Sequence, residues 1–120
     1  MENVARHLTD SGSFVTEAFV PDIGRFTAGQ TIRTTSIRDN EIKIDVSQHN
    51  SMAQQVVSQH VVLTEKGIKM YPVTIRYTWP SELDMMARAA HLKLKNRWED
   101  WGNTAFSSKS GRHISVYGHI

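Results

Sequence analysis

The chain contains no cysteine, which excludes disulfides, thiolate metal sites and a cysteine nucleophile. Its seven glycines are scattered: they stand at positions 12, 24, 29, 67, 102, 111 and 118, and no two lie within four residues of each other. A G-x-G turn, a phosphate-binding loop and a G-x-S-x-G nucleophile elbow are therefore all absent, so nucleotide hydrolysis and elbow-type acyl transfer have no support. No long apolar run follows Met1, so neither a signal peptide nor a membrane span is expected, and the cytoplasm is the default compartment. Charge of one sign is also lacking. Lys and Arg number 14 against 12 Asp and Glu, and the small excess is dispersed rather than gathered into a basic stripe, which argues against nucleic-acid binding. What remains is an ordinary globular composition, 39% apolar and 22% charged, with 120 residues enough for one domain and one core.

Along the chain, Glu2 to Thr9 reads as a helix end with Val4 and Leu8 on one face, stopped by Asp10-Ser11-Gly12 with Gly12 suited to a left-handed cap. Ser13 to Val20 is apolar on both faces, the pattern of a strand covered on both sides, and ends at Pro21-Asp22. From Gln30 to Thr78 the texture changes. Ile42, Ile44 and Val46 alternate with Glu41, Lys43 and Asp45, a strand with one wet face. Turns at Arg38-Asp39-Asn40, Gln48 to Met52 and Glu65-Lys66-Gly67 divide this stretch into a four-stranded antiparallel meander. Pro72 cannot donate to a ladder, so the last strand lies at an edge or carries a bulge. Pro80 and Ser81 open a helix, Ser81 and Asp84 resembling a capping box, with Leu83, Met86, Ala87 and Ala90 as the buried stripe. Strands Leu92 to Trp98 and His113 to Tyr117 flank a polar loop from Glu99 to Arg112.

Several stretches, in order, carry a resemblance: Asn3-Val4-Ala5-Arg6-His7-Leu8, Phe14-Val15-Thr16-Glu17-Ala18-Phe19-Val20-Pro21-Asp22, and Ser58-Gln59-His60-Val61-Val62-Leu63. Tyr77-Thr78-Trp79-Pro80-Ser81-Glu82-Leu83-Asp84, Arg97-Trp98-Glu99-Asp100-Trp101 and His113-Ile114-Ser115-Val116-Tyr117 complete the set. Together they resemble the C-terminal part of a class I S-adenosylmethionine-dependent methyltransferase, in an actinobacterial-type subgroup acting on small molecules. The resemblance implies an α+β fold: the four-stranded meander, residues 30–78, as an insertion over the substrate pocket, with residues 1–29 and 79–120 supplying the terminal strand-helix-strand-strand portion of the sheet. The strand at Phe14 would be the fifth of seven, and strands one to four, which hold the cofactor, are expected to lie outside this chain. Such families hold the cofactor on a glycine-rich strand-to-helix turn, for which this chain has no matching positions. No cofactor is thus expected for this chain alone, and S-adenosylmethionine only if a partner supplies the missing half.

The candidate catalytic residues are Glu17 and His60. Glu17 stands at an otherwise apolar position near the C-terminal end of an open-sheet strand, where ligands bind in such folds, as a general base, a substrate-amine site, or a carboxylate satisfied by neighbours. His60 is on the long meander strand that the resemblance turns toward substrate, as a base or as a hydrogen-bonded structural residue. Arg76, Tyr77 and Trp79 cluster where the meander hands over to the helix, either lining a ligand pocket or filling the core. The remaining histidines show no metal-ligand spacing.

The fifth strand without its fourth neighbour has an open edge and uncovered faces, a template for association. The expectation is therefore a homo-oligomer, strand- or domain-swapped in one form, or a complex with a companion methyltransferase half, around a small-molecule ligand. Two alternatives stand beside a truncated methyltransferase: a cofactor-independent cyclase or isomerase in a repurposed pocket, and a non-catalytic binding or assembly module.

Overall fold

The computed structural model describes residues 1–120 and is α+β, with two antiparallel sheets and two helices. It divides into two compact units, Met1–Pro21 with Thr78–Ile120, and Asp22–Tyr77.

The first unit is a three-stranded sheet in the order β1-β7-β6, formed by β1 (Ser13–Phe19), β6 (Leu92–Trp98) and β7 (Arg112–His119), together with α1 (Glu2–His7) and α2 (Pro80–Ala89). β7 is central and antiparallel to both neighbours, Glu17 lying opposite Ile114 and Arg97 opposite Ser115. The core is Ala87 of α2, Leu92 of β6 and Tyr117 of β7, each fully buried, with Val4, Ala5, Leu8, Phe14 and Leu83 packed against them. Met86, expected in that stripe, is 45% exposed. Helix α2 starts two residues before the expected capping box. Pro80 takes the first helical position, which needs no N–H, and the Glu82 carboxylate accepts the Trp79 N–H at 3.0 Å. Asp84 is thereby free of capping and points elsewhere, as described below. Helix α1 ends at His7, and Gly12 is not left-handed; it is small because a Cβ there would meet the Thr9 hydroxyl at 2.9 Å.

The second unit is the meander: β2 (Gln30–Arg38), β3 (Glu41–Asn50), β4 (Gln55–Thr64) and β5 (Gly67–Arg76), paired in that order. Pro72 lies on the edge strand β5, opposite Gln59 in unbroken register. The single irregularity falls between Thr34 and Ser36 of β2. A two-residue turn, Ala28-Gly29, precedes β2; both residues have positive φ, and Thr27 and Gln30 exchange both backbone hydrogen bonds across it.

The register sorts the meander into two faces with an unexpected distribution of solvent. Asp45, Ser47 and Ser58 share one face and are buried, at 6, 3 and 6% exposure. Ile42, Val46 and Val57, on the opposite face, are 40–45% exposed. The expected wet face is thus the better covered one. Its cover is partly local: Phe26 stacks on His49 at 4.9 Å between centroids, and Tyr77 leans on the same imidazole.

Candidate functional site

In the first unit Glu17 belongs to the bare face of β1. The strand alternates, with Phe14, Thr16 and Ala18 half-buried while Val15, Glu17 and Phe19 are exposed, so Glu17 is not the buried carboxylate that the two-sided apolar pattern suggested. The reason is that α1 and α2 pack on the Phe14 face of the strand, which leaves the Val15, Glu17 and Phe19 face without a helix over it. Glu17 is nevertheless held. Its Oε2 accepts a 2.7 Å hydrogen bond from the Trp101 indole N–H, 84 residues away in the 99–111 loop, and Arg112 approaches the same oxygen at 3.8 Å. The loop itself is built: Asp100 accepts from the Gly102 and Thr104 N–H groups, and Ser110, buried, donates to Glu99 at 2.8 Å. The Thr104 hydrogen bonds, with smaller help from Gly102 and the Arg112 charge, hold the Asp100 carboxyl below its usual range. An exposed carboxylate oriented by an indole N–H and a nearby guanidinium suits the binding of an amine or hydroxyl.

Beneath the loop runs a polar network that the sequence reading did not find. Arg97 grips Asp84 with two hydrogen bonds, 2.7 and 3.1 Å, donates from Nε to Ser115, and meets the Tyr117 hydroxyl at 3.0 Å. Tyr117 donates to Asp84, and Ser115 continues the chain to His113 Nδ1 at 2.7 Å. Burial alone would raise the Asp84 carboxyl, but the hydrogen bonds from Arg97 and Tyr117 and the charges of Arg97 and Arg88 outweigh it and hold it low. Burial keeps His113 neutral by lowering its pKa, and the Arg97 charge adds to that against the opposing pull of Asp84. Burial, with the Asp84 hydrogen bond and charge, pushes the Tyr117 phenol far above its usual value. These groups are mutually satisfied and enclosed, which is the signature of a support rather than of a reacting group.

In the second unit His60 stands half-exposed on β4, its Nδ1 3.9 Å from the buried Asp45 carboxylate. Tyr77 is buried, and its hydroxyl lies 2.9 Å from His49 Nε2. Arg25 covers the Phe26 ring at 4.3 Å, in the same cluster as His49. Arg76 is exposed at the end of β5 opposite Gln55, on the other face from His60. Trp79 belongs to the first unit, where its backbone caps α2. The expected trio therefore divides among three environments. Across the whole chain no three His, Asp or Glu side chains converge as a metal site. No helix is long and apolar enough to cross a membrane.

A strand-to-helix turn that brings the backbone close to a bound cofactor is commonly built with glycine. β1 leads into Val20-Pro21, and β5 reaches α2 through Thr78 and Trp79, with no glycine at either strand end.

No family model and no curated relative matches this chain. Solved structures do. The CcbJ methyltransferase from Streptomyces caelestis is similar over 99% of this chain, at 33% sequence identity and a TM-score of 0.89. An S-adenosylmethionine-dependent methyltransferase from Clostridium acetobutylicum matches 98% of the chain at 11% identity and a TM-score of 0.74, a likeness of fold alone. CalS10, an amino pentose methyltransferase from Micromonospora echinaspora, matches 96% at 18% identity and a TM-score of 0.55. This chain spans about half the length of these proteins, 51, 48 and 48% respectively.

Proposed function

We propose that this chain, which carries the fold of the C-terminal part of an S-adenosylmethionine-dependent methyltransferase, supplies the substrate side of such an enzyme and acts together with other subunits. The supporting observation is coverage: nearly all of this chain, at one third identity, corresponds to half of the Streptomyces caelestis methyltransferase. In this reading Glu17 receives the amine or hydroxyl of a small-molecule substrate, and Trp101 and Arg112 hold the carboxylate in place from the loop. The cofactor is in this reading held by another half, which is supported by the lack of glycine at the C-terminal ends of β1 and β5. The open edge of β1 and the exposed apolar face of the meander are the surfaces that such company would cover.

Isothermal titration with S-adenosylmethionine tests this. The chain alone is expected to give no heat of binding. Co-expression with the cofactor-binding half of the Streptomyces caelestis methyltransferase is expected to give a stable complex that binds the cofactor, and Glu17→Gln to leave that affinity unchanged while weakening substrate capture. Micromolar binding by the chain alone, or failure of any complex to form, overturns the proposal.

A further inference from the structure

The meander contains one feature that packing does not explain. Asp is depleted in strands, and enclosing a carboxylate away from water is costly unless its charge is compensated. Asp45 is nonetheless 6% exposed in the middle of β3. Its two oxygens have different surroundings. Oδ1 accepts the Ser47 hydroxyl at 2.8 Å, and Ser47 is joined to Ser58 on β4 at 2.7 Å, which fixes the plane of the carboxylate. Oδ2 faces the neighbouring strands, with Arg33 at 3.7 Å and His60 Nδ1 at 3.9 Å.

The register makes this a row. Arg33 of β2 pairs with Asp45 of β3, Asp45 with His60 of β4, and His60 with Tyr71 of β5, so four polar side chains cross the sheet on one face. Arg33 is 60% exposed and His60 49%, whereas the carboxylate between them is almost wholly enclosed. Two residues further along the strands from this row, the same face borders a recess of about 450 Å³ lined by Glu41, Lys43, Val62, Lys69 and Tyr71, which is room for a small molecule.

We infer that Asp45 and His60 form a proton-accepting pair. Asp45 is the positioning residue: its Oδ2 takes the Nδ1–H of the neutral imidazole and leaves the Nε2 lone pair directed at solvent and ligand. A carboxylate in that place also steadies the imidazolium that forms when Nε2 takes a proton. The ligand class is a small molecule presenting a hydroxyl group and no positive charge, since Lys43 and Lys69 border the recess. In the step, the O–H bond of the ligand breaks, its electron pair stays on the oxygen, and the proton passes to Nε2. The 3.9 Å separation exceeds a hydrogen bond, as is common where such pairs tighten only on binding. The proton donor's identity rests on the substrate-side reading above, but the pairing is measurable in this chain alone, so the two fail separately.

The test is long-range ¹H–¹⁵N correlation of the imidazoles in the full chain, with His60 assigned by His60→Gln. In the wild type, neutral His60 is expected as the Nδ1–H tautomer. In Asp45→Asn the Nε2–H form is expected to dominate, because the amide presents a donor as readily as an acceptor. Acylation of His60 by diethyl pyrocarbonate, which needs the free Nε2 lone pair, is expected to slow several-fold in the same variant. The wild-type tautomer requires no variant to fold. Neutral His60 carrying its proton on Nε2 in the wild type, or acylation unaffected by Asp45→Asn in a variant with an intact spectrum, overturns the inference.

Discussion

At the residue scale, the surroundings of a side chain are set by contacts that lie far away in sequence. Glu17 is legible as an odd carboxylate in an apolar strand, but two apolar faces imply cover on both, and here α1 and α2 pack on the Phe14 face while Glu17 lies on the other. Trp101, its hydrogen-bond partner, lies 84 residues away, and no periodicity connects the two. Asp45 was read as a wet-face residue because it alternates with Ile44 and Val46. Its partnership with His60 depends on the β3–β4 register, which the sequence did not fix: the turn expected at Gln48 to Met52 begins later, since β3 continues to Asn50. Ala28 shows the same blindness to backbone. Nothing in the residue announces a left-handed conformation, yet its φ is +51°, beside Gly29 at +76°. A Cβ in that region costs roughly 1–2 kcal/mol, partly offset by the greater chain entropy that glycine loses on folding. Ala28→Gly is therefore expected to stabilise the protein by about 1 kcal/mol, read as a higher urea midpoint with an unchanged slope. A lower midpoint would show that the turn does not require positive φ at 28.

At the scale of elements, the sequence disclosed the strands and helices but not how α2 is fastened to its sheet. Asp84 looked like a cap because it follows Ser81 at capping-box spacing; the helix instead begins at Pro80 and uses Glu82. That places Asp84 where Arg97 of β6 and Tyr117 of β7 reach it, so one carboxylate ties three elements. The same network extends through Ser115 to the buried His113. Both titrating ends act in one direction. His113 in the folded chain resists the proton that the unfolded chain accepts near its ordinary value of 6.5, so stability declines as pH falls below that value. Asp84 has a folded pKa below its ordinary 3.8, so its contribution is present above that value and lost as pH falls through the folded one. Urea denaturation is expected to show a stability plateau above neutrality and a two-stage loss on acidification, the first stage disappearing in His113→Gln. A profile flat from neutrality down to the carboxylate range would contradict the buried, neutral state of His113.

At the scale of the whole molecule, the meander poses the larger physical question, because its apolar face is the open one. Ile32, Ile37, Ile68 and Met70 are 66, 76, 62 and 61% exposed, and the register aligns them with Ile42, Ile44 and Val46 on one side of the sheet. Buried on this face, Gln59 Oε1 has no hydrogen-bond partner within the chain. Strand spacing and rise give four ten-residue strands a face of roughly 600 Å², and its largely apolar character puts it at the upper end of the patches that monomers leave to water. Two such faces together would bury about 1,200 Å², the lower bound of a specific interface. The centre of the face carries no charge, so a second copy meets no like-charge penalty in a two-fold arrangement. Association through this face is the expected state in solution. Light scattering behind size exclusion at micromolar concentration should return a mass of at least two chains, and Ile37→Lys with Ile68→Lys should return one. The double variant alters only exposed positions, so its thermal unfolding should remain cooperative, although at a lower temperature if association stabilises the wild type. A wild-type monomer would mean that this surface is held for a different chain, and the companion half would then be the partner to seek.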